Sequence, residues 1–241
     1  MLLQETTISG VLSVAVMLTT LLLFSVHEPA HAADRMVVAA AFLQGSTAAD
    51  PVARALQRFA QLQSYQVMMR SVSSQDETKV IRYSYRKPGY VRMDFSTPHA
   101  GAVLIYNPAN GKVKLWPFGA GTFPMLNLSP TDSLITDENG HRVDQSDIGV
   151  LLNNIRRLQQ GGTTALPGEE TVAGKPTIHL SVVGPEGKAV DAVHRYEVWF
   201  DKQSGLPAKV VSYGLGGKLL ETVMMEAMTI NVRFPPDFFA P

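Results

Sequence analysis

The sequence has no cysteine, so disulfides, thiolate catalysis, Cys-ligated zinc and lipidation at an N-terminal Cys are all excluded. It also has no excess of one charge: Lys plus Arg and Asp plus Glu number 21 each. Such a chain has no broad positive field to collect nucleic acid or an anionic membrane. Charged residues make up only 17%, against 45% hydrophobic, a globular composition without the signature of global disorder.

Local signatures of chemistry are scarce as well. His27, His31, His99, His141, His179 and His194 show neither H-x-x-x-H nor H-x-H spacing. His194 and Glu197, three apart, fall on opposite faces of a strand, so no metal site is expected. Ser84-Tyr85-Arg86-Lys87 fits the bare S-x-x-K pattern, but it runs off a strand into Pro88 instead of opening a helix. There is no G-x-S-x-G, and Gly214-Leu215-Gly216-Gly217-Lys218 lacks phosphate-loop spacing and reads as a hairpin turn. No two carboxylates are held at a defined geometry by local sequence. The expectation is therefore no catalytic residue, no metal and no cofactor.

What is present begins with an export signal. Ile8 to Val26 is uncharged and mostly apolar, and Ala30-His31-Ala32 supplies small residues at the two positions a signal peptidase reads. Cleavage after Ala32 is expected, which removes Glu5 and Glu28 and leaves the mature chain slightly basic. The n-region has no Lys or Arg, and the apolar run is just long enough to span a bilayer. The alternative is a retained inner-membrane anchor over residues 8–26. Both readings put the rest of the chain outside the cytoplasm, in the periplasm. Residues 33–49 read as a loose leader, and residues 50–241 as one domain.

Asp50-Pro51 opens a helix, with Asp as N-cap and Pro in the first turn. Val52, Ala55, Leu56, Phe59 and Leu62 recur at the helical period and give it one apolar face. From Tyr65 the period becomes two. Tyr65–Val72, Lys79–Tyr85, Tyr90–Phe95, Ala102–Tyr106 and Lys112–Trp116 read as five strands, joined by short turns that favour antiparallel neighbours. Pro117 to Pro130 reads as a long loop. A helix is expected at Asp147–Gln160, ended by Gly161-Gly162. Strands resume at Thr177–Val183, Tyr196–Asp201, Lys209–Tyr213 and Leu219–Val232.

Each strand has one apolar face. Val91, Met93 and Phe95 share one side, Ile178, Leu180 and Val182 another, and Leu220, Met224, Met228 and Ile230 fall on one parity of the last strand. Six of the ten methionines (Met68, Met69, Met93, Met224, Met225 and Met228) lie on expected strands. Methionine suits surfaces that accept irregular apolar shapes, although plain core packing explains it too. A sheet with an amphipathic helix over its open side can make an apolar cleft with a lid.

Tyr85-Arg86-Lys87-Pro88-Gly89-Tyr90-Val91-Arg92-Met93-Asp94-Phe95, followed by Pro98 and Gly101, resembles the LolA/LolB-like lipoprotein-carrier superfamily. Asn110-Gly111-Lys112, Trp199-Phe200-Asp201, Gly205-Leu206-Pro207, Gly217, Asn231-Val232 and Phe238 follow in that family's order. Within the superfamily the chain is most similar to the uncharacterised LolA-like branch DUF1571. The resemblance covers residues 50–240. It implies an α+β fold: a curved, incomplete antiparallel β-barrel closed by helices, around an apolar cavity for acyl chains.

The cavity residues so implied are Val91, Met93, Phe95, Val103, Ile105, Ile178, Leu180, Leu220, Met224, Met228, Phe59 and Leu62. The carrier's basic lid-latch residue before the Pro corresponds to Lys87, with Arg86 and Arg92 as substitutes. Lysine lacks arginine's planar fork, and Met93 stands where the carrier often has Trp. The function expected is a periplasmic carrier that holds lipid or lipoprotein acyl chains and meets an envelope donor or acceptor. Membrane contact is expected to be transient or through the N-terminal segment. The alternatives are an envelope sensor that binds a protein partner and, third, an enzyme.

Overall fold

The computed structural model describes residues 50–136 and 142–240. The expected signal peptide with Ala32, the segment 8–26 and the leader 33–49 lie outside the described residues.

The described chain forms eleven antiparallel strands in one open sheet, with two α-helices on one face. Helix α1 spans Pro51–Gln61, and α2 spans Ile148–Gln159. Between them run β1 (Ser64–Ser73), β2 (Thr78–Arg86), β3 (Tyr90–Thr97), β4 (Val103–Asn107), β5 (Lys112–Trp116) and β6 (Leu126–Leu128). After α2 come β7 (Thr163–Val172), β8 (Lys175–Val183), β9 (Arg195–Asp201), β10 (Pro207–Tyr213) and β11 (Leu219–Ile230). The order across the sheet is β6-β5-β4-β3-β2-β1-β11-β10-β9-β8-β7. Two meanders are therefore joined where the first strand pairs with the last, and β6 and β7 form the edges.

Both helices start as their sequences predict. The Asp50 carboxylate accepts the Val52 N–H at 3.0 Å, and Asp147 accepts those of Gly149 and Val150 at 2.7 and 3.1 Å. Ile148, Leu152, Ile155 and Leu158 turn from α2 into the main core, where Val52, Ala55 and Leu62 arrive from α1 and its end. The helices meet closely at Gly149, where an added Cβ would lie 2.4 Å from the Phe59 ring.

Two elements depart from the sequence reading. β7 was not expected: it is an edge strand, almost wholly exposed, with a Pro and a Gly inside it, so it carries no apolar alternation. The expected loop Pro117–Pro130 contains the three-residue strand β6.

The register sorts the side chains into a helix-facing inner face and an outer face. Met69, Ile81 and Phe95 lie in one inner row, and Val67, Tyr83, Met93, Leu104 and Leu115 in the next. On the outer face, Val103, Ile105, Trp116 and Phe239 form a second cluster, and Val172, Trp199 and Val211 a third. Val103, Ile105 and Met224 must therefore be corrected: all three face outward. β4 is apolar on both sides, so its parity cannot be read locally, and pairing with Asp94 and Arg92 sends Val103 and Ile105 out. In β11, Ala227 adopts a left-handed φ of 48° and the register against β1 slips, so Met225, not Met224, shares the inner face with Met228.

Candidate functional site: a lidded apolar cavity

Between the inner face and the start of α2 lies a cavity of about 180 Å³. Met69, Ile81, Met93, Val210, Val223 and Met225 form its sheet wall. Val150 and Leu151 of α2 close it from above, with Ile135 and Val143 from the connection before α2. The lining is mostly apolar, but Ser71, Lys79, Ser212, Glu221 and Tyr196 reach it from the sheet, and Arg142, Gln145, Ser146, Asp147 and Asn154 from the lid side.

The lid's position is set by a tyrosine stack. Tyr65 lies between Tyr83 and Tyr85, with ring centroids 5.8 and 5.2 Å apart. The Tyr65 hydroxyl accepts the Ile148 N–H at 3.2 Å, and the Tyr83 hydroxyl meets Ser146 Oγ at 3.0 Å. These bonds tie the first turn of α2 to the sheet. Burial keeps Tyr65, Tyr83 and Tyr196 protonated far above the ordinary tyrosine range. Burial, with the Asp147 charge added, pushes Tyr85 up to about 12. Asp147 itself is held above the usual carboxylate range by burial, against the pull of the Val150 and Gly149 N–H groups it accepts.

Of the twelve residues expected to line the cavity, Met93 does so. Val91, Phe95, Leu180, Leu220 and Leu62 are packed into the main core, and Phe59 and Met228 lie at its margin. Ile178 instead lines a second, polar cleft beside Arg54, Arg58 and Asp201. Val103, Ile105 and Met224 face outward, as described above.

The three latch candidates separate in the same way. Lys87 Nζ donates to the Ala60 carbonyl at 2.6 Å, and its backbone N–H donates to Gln63 O at 2.9 Å, so this residue holds the end of α1. Arg86 lies over the Tyr90 and Phe239 rings. Arg92 grips Asp94 and donates to Phe238 O at 3.0 Å. Both arginines pin the C-terminal tail to the outer face.

Sequence reasoning missed Lys79, Ser71, Glu221 and Ser212. They stand on the apolar parity of their strands, and only the sheet brings them together. Ser71 Oγ donates to Glu221, and no histidine among the described residues lines the cavity. The set can hold a polar group by hydrogen bonds of both senses. On the outer face His179 bridges Glu170 and Glu197 and stacks on Trp199, yet no metal-holding group of His, Asp and Glu occurs among the described residues.

No family model matches the sequence, and no curated protein does either. Among solved structures, MucB is similar at 21% identity and a TM-score of 0.52, over 82% of this chain and 64% of that one. The fold is LolA/LolB-like. The MucA/MucB complex of Pseudomonas aeruginosa is similar at 18% identity and a TM-score of 0.49, over 80% of this chain and 60% of the other. A LolA-superfamily protein from Nitrosomonas europaea is more distant, at 12% identity and a TM-score of 0.33, over 79% and 96%. This chain thus spans less than two thirds of MucB's length. The DUF1571 branch receives no support from these matches. No helix among the described residues is long and apolar enough to cross a membrane.

Proposed function

We propose that this protein is an exported, single-domain binding protein that holds an acyl chain, of a lipid or a lipoprotein, under α2. The observation that carries this reading is the apolar space between the sheet and the lid. At about 180 Å³ it exceeds the ~150 Å³ dry cavity known to admit benzene, and falls short of the ~300 Å³ lower end of drug-sized sites. One chain is the natural occupant. Several chains would require α2 to lift. Each buried methylene contributes about 0.8 kcal/mol, so eight give about 6 kcal/mol before ordering costs. Export rests on Ala30-His31-Ala32 and carries the periplasmic location.

The test is native mass spectrometry of protein recovered from the export compartment, with calorimetric titration of the recombinant chain by an acyl probe. A bound mass that matches a lipid, and saturable probe binding, are expected. No bound lipid together with no probe binding would sink the reading. A protein-binding role is the second reading. It is favoured by the outer edge of β7, a ten-residue strand whose described pairing is with β8 alone. A partner that co-purifies with intact protein and is lost when β7 is altered would favour that reading over carriage.

A further inference from the structure

The buried polar side chains of the inner face are arranged in a line. Lys79 on β2 stands opposite Ser71 on β1, Glu221 on β11 stands opposite Ser212 on β10, and Ser212 stands opposite Tyr196 on β9. All five reach the cavity. Two residues further along the same face, every one of these strands turns apolar, at Ile81, Met69, Val223, Val210 and Val198. The sheet wall is therefore amphipathic along the strand direction, with its polar row at one end, while Arg142, Gln145, Ser146, Asp147 and Asn154 add polar groups from the lid side. Ser71, Lys79, Ser212 and Tyr196 are each more than nine-tenths buried. A cavity meant only for hydrocarbon would not need a lysine and a glutamate in its wall, since buried charge costs free energy that apolar residues avoid.

The charges at this end offset one another. Lys79 and Arg142 supply positive charge to the lining and Glu221 and Asp147 negative, and Asp191, exposed and held by the Asn154 side chain at 2.7 Å, adds a negative group near Tyr196. An anionic head would face Glu221 and Asp191, and a cationic head would face Lys79. A neutral head rich in hydroxyls meets neither penalty: it can donate to the carboxylate and accept from the lysine, the serines and the tyrosine.

We propose that this row is a headgroup subsite, and that the ligand is a single-chain amphiphile with a neutral hydroxylated head, of the acylglycerol class. Its chain points toward Met69, Ile81 and Met93. This rests on the acyl-chain reading above and adds the chemistry of the other end.

The test is calorimetric titration of the full chain with three probes that share one chain length: monolaurin, laurate and dodecyltrimethylammonium. Monolaurin is expected to bind about tenfold more tightly than either ionic probe, the worth of one charge-assisted hydrogen bond. Glu221→Gln keeps the side-chain shape and removes a negative charge from this end of the cavity. It should tighten laurate about tenfold and weaken monolaurin about tenfold, because the charge-assisted bond to the hydroxylated head is lost. Ser212→Ala should weaken monolaurin alone. Equal binding of all three heads by the native chain, or an unchanged laurate-to-monolaurin ratio in Glu221→Gln, would overturn the headgroup subsite and leave chain binding standing. Failure of every probe to bind would overturn both.

Discussion

Replacing Val223 with phenylalanine would put a larger apolar side chain into space that is already empty. Val223 is half-buried on β11, lines the cavity and packs at the margin of the main core. Phenylalanine is as well suited to a strand as valine, so the backbone cost is small. The added ring carbons would bury about 40–50 Å² more apolar surface, which stabilises the fold by about 1 kcal/mol at ~25 cal/mol per Å². The same ring takes room from an acyl chain in a cavity of about 180 Å³. If two methylenes no longer fit, about 1.6 kcal/mol of binding is lost, a roughly fifteen-fold rise in Kd. Denaturant unfolding and calorimetric titration with monolaurin measure the two effects on one sample. The expected pair is stability equal to or above the native chain, with binding about fifteen-fold weaker. Native-like binding in a folded variant would mean that the ligand sits elsewhere. A loss of more than about 2 kcal/mol of stability would mean that the space beside Val223 is not available to a side chain at all.

Two aspartate substitutions separate the faces. Met93→Asp puts an unpaired carboxylate in the inner wall and should cost about 3 kcal/mol and abolish probe binding, whereas Met224→Asp lies beside Arg70 and Lys209 on the outer face and should cost under about 1 kcal/mol with binding kept; equal effects on titration would refute the assigned register. Folding raises the Asp147 carboxyl, so the native state binds that proton more tightly than the unfolded chain does. Stability is therefore lost as pH rises from about 3.9 through the raised native value. Asp147→Asn keeps the cap acceptor and should remove that slope in urea titrations from about pH 3 to about pH 7, and identical slopes in both proteins would count against the assignment. Lys87→Met removes the bond to Ala60 O, and amide exchange in the last turn of α1 should quicken about fivefold while global stability changes by less than about 1 kcal/mol; unchanged exchange would show that Lys87 does not hold the helix end.

Much of the architecture could be read from local pattern. Asp50-Pro51 and Asp147 each mark a helix start because a carboxylate before the first turn satisfies free N–H groups wherever the chain goes next. The alternation in Val91, Met93 and Phe95 survives into the fold because β3 has one face against the core and one carrying Arg92 and Asp94. β7 escaped notice because an exposed edge strand has no core-facing residues to betray it.

The candidate site was less legible. Parity put Met93 on one face with Val91 and Phe95, but did not tell which of the three borders the open space. Lys79, Ser71, Glu221 and Ser212 lie up to some 150 residues apart, and only the pairing of β1 with β11 makes them neighbours. Within β11 a single left-handed residue, Ala227, decides whether Met224 or Met225 faces the cavity, and no periodicity carries across such a bulge. Composition, helix caps and strand alternation are short-range properties, so the sequence by itself determined an α+β chain of one-sided strands and two amphipathic helices. Which apolar residues became packed core, which pinned the tail outside and which were left around an open space depended on register and on how closely α1 and α2 meet at Gly149. Those are long-range contacts, and the tertiary structure alone decides them.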